Sequence, residues 1–202
     1  TSATQDVLYS FGVIGSDVDA GNVLTYSIAN NPSWMGINAS SGLVSGTPLN
    51  ADVATTTGIV ISVKDDANAT ADLAAFDVTV ANVNDVASIG GTSFANVTED
   101  GVLTASNALT ISDIDAGEAE LIAQSNVATT YGAFNVDANG TWNYALNNSA
   151  ANVQALAADE NVTDSVVATS ADTTATRTIT VTITGLNDLA SIGGTVAGGV
   201  VE

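Results

Sequence analysis

Short runs of alternating apolar and polar residues fill most of the chain. In Thr176–Thr184, Ile179, Val181 and Ile183 alternate with Thr178, Thr180, Thr182 and Thr184. A period of two puts the aliphatic side chains on one face and the hydroxyls on the other, the pattern of a half-buried strand. Residues 23–28, 59–63, 75–83 and Thr141–Leu146 read the same way. Turn formers punctuate these runs: Asn30-Asn31-Pro32, Ser40-Ser41-Gly42 and Asp137-Ala138-Asn139-Gly140. Asn139-Gly140 falls between two alternating runs and predicts a β-hairpin, since both residues tolerate positive φ. One segment breaks the pattern. Ser149 can cap a helix over residues 149–157, which places Val153, Leu156 and Ala157 on one face as a cover for the core.

The order of these runs repeats. Residues 84–92, Asn-Asp-Val-Ala-Ser-Ile-Gly-Gly-Thr, recur at 187–195 with Leu189 in place of Val86, an offset of 188 − 85 = 103. In that register Glu99 falls on Glu202. A looser echo sets Asp17-Val18-Asp19-Ala20-Gly21 beside Asp113-Ile114-Asp115-Ala116-Gly117, and Gln5-Asp6 beside Glu99-Asp100. Residues 1–84 therefore read as one domain, 85–188 as a second, and 189–202 as the start of a further repeat in a longer array. Many short strands and a single helix predict an all-β chain of two tandem sandwiches of immunoglobulin size.

Composition narrows the chemistry. Apolar residues make up 46% of the chain, enough to build cores and too many for a solvated tail. Against 22 Asp and Glu stand two bases, Lys64 and Arg177, for a formal charge of −20. Such a polyanion repels nucleic acid and anionic membranes and attracts divalent cations. No stretch approaches the ~20 apolar residues of a membrane helix. The absence of Cys and His removes thiol chemistry, the common zinc sites and the histidine general base. The carboxylates gather in turns rather than beside pocket-lining aromatics, which argues against a glycosidase pair. The chain reads as a non-enzyme.

Two resemblances sharpen this reading. Residues 32–48, from Pro32-Ser33-Trp34 to Gly46-Thr47-Pro48, together with Asp17-x-Asp19-Ala20-Gly21-Asn22 and Leu24-Thr25-Tyr26, resemble the dystroglycan-type cadherin-like domains of bacterial surface proteins. The second domain resembles the VCBS repeat of large RTX-type adhesins. It carries Val97-Thr98-Glu99-Asp100-Gly101, Tyr131-Gly132-Ala133-Phe134, Asn139-Gly140-Thr141-Trp142, Val153-Gln154-Ala155-Leu156 and Ile183-Thr184-Gly185. These resemblances imply cadherin-like sandwiches and a secreted or cell-surface protein exported by type I secretion.

Calcium is the cation that suits the acidic turns. It takes about 6–8 oxygen ligands, and Asp, Glu, Asn and backbone carbonyls supply them. Likeness to cadherin repeats implies a site at the domain junction. Its ligands would be Gln5 and Asp6 on the first strand, Asp52 in a loop, Asn82, Asn84 and Asp85 in the linker, and Asp113, Asp115 and Asp172 from the following domain. Gln5 departs from the pattern, because the second domain has Glu99 there. Like charges ~4 Å apart repel by about 1 kcal/mol in water and about 4 kcal/mol near a protein surface, so such a cluster calls for a cation. Two half-sites follow by the same layout. Asp17, Asp19 and Asp65, with Asp66 as a rival, form the first. Glu99, Asp100, Glu160, Asn187 and Asp188, with Asp159 as a rival to Glu160, form the second.

The function expected is a calcium-rigidified extender of an adhesin. Its partners are neighbouring repeat domains of the same chain, and the isolated chain is monomeric. The alternative is a calcium-dependent polysaccharide or cell–cell binding module, with Trp34 or the Trp142 hairpin as a sugar platform. For Trp142, Tyr131, Phe134 and Tyr144, alternation along one hairpin favours core packing instead.

Overall fold

The computed structural model describes residues 1–19, 21–194, 198 and 199. The chain divides into two units, Thr1–Asp85 and Val86–Glu202. Ala20, in the first acidic turn, and Thr195 and Glu202, in the third repeat start, lie outside the described residues.

In the first unit the strands are β1 (Ser2–Thr4), β2 (Tyr9–Gly12), β3 (Thr25–Ala29), β4 (Gly36–Ile37), β5 (Leu43–Gly46), β6 (Thr55–Lys64), β7 (Thr70–Asp72) and β8 (Phe76–Ala81). One sheet runs β1-β8-β6-β3, with β7 on the far half of β6, and the other runs β2-β5-β4. β1 pairs parallel to β8, so the chain begins beside its last strand. The sheets close over Val44, Ile59, Ile61 and Val78, the inward halves of alternating strands, and over Met35 just before β4. Trp34 packs at the edge of this core with its ring 5.8 Å from Tyr9.

The second unit repeats the plan with longer strands: β9 (Ser88–Gly91), β10 (Phe94–Thr98), β11 (Thr104–Ser112), β12 (Gln124–Ala128), β13 (Gly132–Val136), β14 (Thr141–Leu146), β15 (Asn161–Thr169) and β16 (Thr176–Thr184). One sheet runs β12-β13-β14-β11-β9 and the other β10-β16-β15. Ile179, Val181 and Ile183 are fully buried, as the alternation of β16 requires. Phe134, Trp142 and Tyr144 are fully buried too, and the Trp142 indole N–H donates to the Thr92 carbonyl at 2.8 Å. The 134–144 hairpin forms as read, although only Gly140 takes positive φ, at 91°.

The helix over residues 149–157 does not form. That stretch is a series of turns, held by Ala150 N–H to Asn147 O, Val153 N–H to Ala150 O and Leu156 N–H to Val153 O, each 3.0 Å. Helix nucleation is costly in so short a segment. Burial of Val153 and Leu156 is achieved by the turns alone, while the Asn152 side chain donates to Thr130 O at 2.9 Å. The described helical structure is one 3-10 turn, Asn50–Asp52, in the first unit.

Buried polar groups sit at fixed points in the second unit. Asp164 is 4% exposed and accepts from the Thr129 hydroxyl (2.6 Å), the Thr130 and Tyr131 amides (3.2 and 3.0 Å) and the Tyr144 hydroxyl (2.7 Å). Burial, reinforced by this carboxylate, pushes the Tyr144 phenol up, so it stays a donor. Asp164 was not singled out by sequence, because a lone Asp within a strand carries no motif.

Candidate metal centre

The turn after β11 gathers the strongest cluster. Asp115 N–H donates to Asp113 Oδ1 at 2.8 Å, and Glu118 N–H donates to Asp115 O at 3.3 Å. Gly117, at φ 86°, supplies the left-handed step that few side chains tolerate. The turn thereby brings Glu118 back beside Asp113. Asp172, between β15 and β16, is oriented by the Thr174 amide at 3.2 Å and by the Thr174 hydroxyl. Thr174 Oγ1 in turn accepts the Ala87 amide at 2.9 Å. Ligand oxygens of Asp113, Glu118 and Asp172 lie within 4.8 Å of one another. Among the described residues this is the one group of three or more such side chains that meets that spacing.

The electrostatics of the cluster are unresolved by protein groups alone. Asp113 Oδ2 and Glu118 Oε2 are buried with no hydrogen-bond partner. Burial, then Asp115, Asp113 and Asp172 in that order, push the Glu118 carboxyl above its ordinary value. Asp115 itself is 3% exposed, at the base of the turn. Glu118 was missed in the sequence. A signal existed: Asn22 stands three residues after Asp19 as Glu118 does after Asp115, and its amide likewise donates to Asp19 O, at 3.4 Å.

Glu99 is the second notable group. It follows β10 in a turn, is fully buried, and its Oε2 accepts the Leu186 amide at 3.0 Å while Oε1 has no partner. Asp100 follows at φ 52° and is clasped by Asn148, which accepts its amide at 2.9 Å and donates to its Oδ1 at 2.6 Å. Glu160 Oε2 accepts the Ala157 amide at 2.9 Å. Its rival Asp159 takes a left-handed turn position, φ 62°. Asn187 donates to Asp188 O at 2.9 Å, and both are exposed.

The first unit uses the same frame. Gln5 is 2% exposed; its Oε1 accepts the Val83 amide at 3.2 Å and its Nε2 donates to Asp85 Oδ2 at 3.1 Å. A backbone N–H can only donate, which fixes the amide orientation. Asp6 N–H donates to Pro48 O at 2.8 Å, next to the turn in which Asp52 Oδ2 accepts the Leu49 amide at 2.9 Å. Asp52 thus sits as Glu160 does, each accepting from the amide three residues back. Asn84 donates to Asp85 O at 3.0 Å, and Asn82 is exposed. At the other end, Asp17 Oδ1 accepts the Asp19 amide at 2.8 Å, and Asp17 and Asp65 line one shallow cleft. Asp66 instead accepts the Val23 amide at 2.8 Å.

These paired frames, two sandwiches with acidic turns at matching positions, are those of a known domain type. The family model described as "Bacterial cadherin-like domain" matches residues 84–185, half of the chain. The chain belongs to the bacterial cadherin-like family. Residues 1–81 match the model described as "Putative Ig domain". Among solved structures, the chain is similar in fold to PcdhgB3 EC1-4, with 18% identity, a TM-score of 0.58, and coverage of 91% of this chain and 47% of that one. Protocadherin Gamma B2 extracellular cadherin domains 1-5 follow at 15% and 0.56, covering 93% and 38%. Mouse Cadherin-23 EC22-24 aligns at 15% and 0.50, covering 92% and 62%. The chain spans half or less of the length of the two protocadherins. No curated protein matches it.

Cadherin-like domains are extracellular structural and adhesion modules that generally depend on calcium. Residues of this bacterial cadherin-like chain fit that ion. Every candidate ligand is an oxygen, as a hard cation prefers. Three buried carboxylate oxygens, on Glu99, Asp113 and Glu118, have no protein donor. A cation would satisfy them, and it would reverse the repulsion within the Asp113–Glu118–Asp172 group.

Proposed function

We propose that the chain is a calcium-stiffened extender of a secreted bacterial surface adhesin, set among VCBS-type repeats and holding a distal binding region away from the cell. One observation carries this reading most: Asp113, Glu118 and Asp172 converge, with two of their oxygens buried and unpartnered. In this reading Asp113, Glu118 and Asp172 hold an ion with Asp115 beneath them, and Asp6, Asp52, Asn82, Asn84 and Asp85 belong to the same calcium-dependent junction. The reading of that junction rests on sequence order. Glu99, with Asp100, Glu160, Asn187 and Asp188, forms the corresponding acidic end of the second unit, and Asp17, Asp19 and Asp65 that of the first. Neighbouring repeats of the same chain are the partners.

Burial of Trp142, Tyr144 and Phe134 supports an extender over a sugar-binding face, since those rings are committed to the core. Calorimetric calcium titration, paired with small-angle scattering with and without the ion, tests the proposal. Binding with a rise in melting temperature and a narrower distribution of particle dimensions is the expected result. A chain that takes up no calcium, or whose scattering ignores it, would sink the reading.

A further inference from the structure

Thr174 makes two hydrogen bonds that run in one direction. The Ala87 amide donates to Thr174 Oγ1 at 2.9 Å, and the Thr174 hydroxyl donates to Asp172 Oδ2. A backbone N–H can only donate, so the hydroxyl hydrogen is left for the carboxylate. Bonds in such a chain polarise and strengthen one another. The relay joins a residue at the entry of the second unit to a carboxylate of the Asp113–Glu118–Asp172 group.

Both ends of the relay are anchored. Val86 is 75% exposed and Ala87 only 5%, so Ala87 is where the chain beyond Asp85 first becomes buried. A buried amide needs an acceptor, and the Thr174 oxygen meets that need. At the other end, the fully buried Ser170 closes the loop that carries Asp172. Its hydroxyl donates to Ala175 O at 3.1 Å and accepts the Ala175 amide at 2.9 Å. Ala171 N–H donates to Glu120 O at 2.9 Å, which ties this loop to the segment just after Glu118. Thr173 stands at φ 67°, the one β-branched residue at positive φ among the described residues. Such a conformation persists where its surroundings impose it. With that step in place, the Thr174 amide and hydroxyl both reach the Asp172 carboxylate.

The sandwich does not require this relay. The loop after β6 carries Asp65 as the loop after β15 carries Asp172. There Asp65 Oδ1 accepts the Ala69 amide at 2.7 Å, and residue 67, two after the Asp, is Ala and has no hydroxyl.

We propose that Thr174 is a positioning residue through which the entry segment at Ala87 and the calcium site hold each other in place. Thr174 acts on the ion only through Asp172, and Ala87 supplies no ligand. Hydrogen-bond partners of a ligating carboxylate set metal affinity by about 10–100-fold. Linkage makes the coupling reciprocal: an ion that binds more tightly while Ala87 is docked also keeps Ala87 docked. Whatever draws Ala87 away from the unit lowers its affinity for calcium, and loss of calcium frees the segment. This inference rests on the calcium reading above.

Calcium titration and amide exchange of the whole chain, wild type against Thr174→Val and Thr174→Ser, test it. Thr174→Val keeps the branched shape and removes the hydroxyl. It should weaken calcium binding by about 10–100-fold. In the wild type, saturating calcium should slow exchange of the Ala87 amide by a factor of the same size. In Thr174→Val calcium should no longer slow it, and Thr174→Ser, which keeps the hydroxyl, should restore both effects. The wild-type exchange comparison needs no variant and is decisive whatever Thr174→Val does to folding. A lower melting temperature of Thr174→Val in chelator, with calcium affinity undiminished, would show a merely structural role and overturn the coupling. Calcium uptake by the wild type with no change at Ala87 overturns it too, and both results leave the calcium reading standing. No calcium uptake by the wild type overturns the two together.

Discussion

The Gln5 side-chain amide donates to the Asp85 carboxylate across 3.1 Å, at the place where Glu99 in the second unit directs an unpartnered carboxylate oxygen. One side chain thus exchanges a cation-seeking oxygen for a neutral donor. In the first unit an amide donor meets Asp85, where the second unit has a carboxylate oxygen without a donor.

Gln5→Glu should make the stability of the first unit depend more strongly on calcium. Loss of a hydrogen bond to a charged group costs roughly 1.5–3 kcal/mol, and the new carboxylate adds repulsion towards Asp85. Chemical denaturation in chelator should show that loss, and calcium should restore most of it. Equal stability in chelator and in calcium would show that the two side chains do not share a cation.

Glu118→Gln should weaken calcium binding by about tenfold or more while stabilising the metal-free unit. The substitution removes a charge that its neighbours already oppose, at a distance set by the 4.8 Å grouping. Isothermal titration reads the affinity and thermal melting in chelator reads the stability. Unchanged affinity would remove Glu118 from the site.

Metal-free stability should fall as pH rises above about 4.5, the ordinary Glu118 value. Because the folded state holds its proton more tightly than the unfolded chain, the unfolded chain loses it first. Stability is therefore full below that pH and is lost as pH climbs through the raised folded value. Saturating calcium should flatten this part of the profile. Denaturant midpoints across that range, with and without calcium, give the comparison.

Asp164→Ala should destabilise the second unit by roughly 3 kcal/mol or more, since two hydroxyls and two amides lose their common acceptor. Calcium affinity should be unchanged, because Asp164 is not among the converging carboxylates. A parallel loss of calcium binding would place this residue in a different role.

Alternation alone located Thr141–Leu146 and Thr176–Thr184 to the residue, since a period of two has a single buried face. It failed at residues 149–157, where helical spacing of Val153 and Leu156 is met equally well by consecutive turns. The Asp-x-Asp turns were legible because an Asx bond is local to three residues. Glu118 was not, since only the left-handed step at Gly117 turns it back onto Asp113.

By itself the sequence determined what local rules and self-comparison can reach: an all-β chain, its repeat spacing, the acidic turns and an oxygen-only ligand supply. Tertiary structure decided which of those oxygens are buried without donors, that Asp172 joins Asp113 and Glu118, and that Gln5 satisfies Asp85. Each of these depends on contacts between segments tens of residues apart, and their distances follow from how sheets pack rather than from any spacing along the chain.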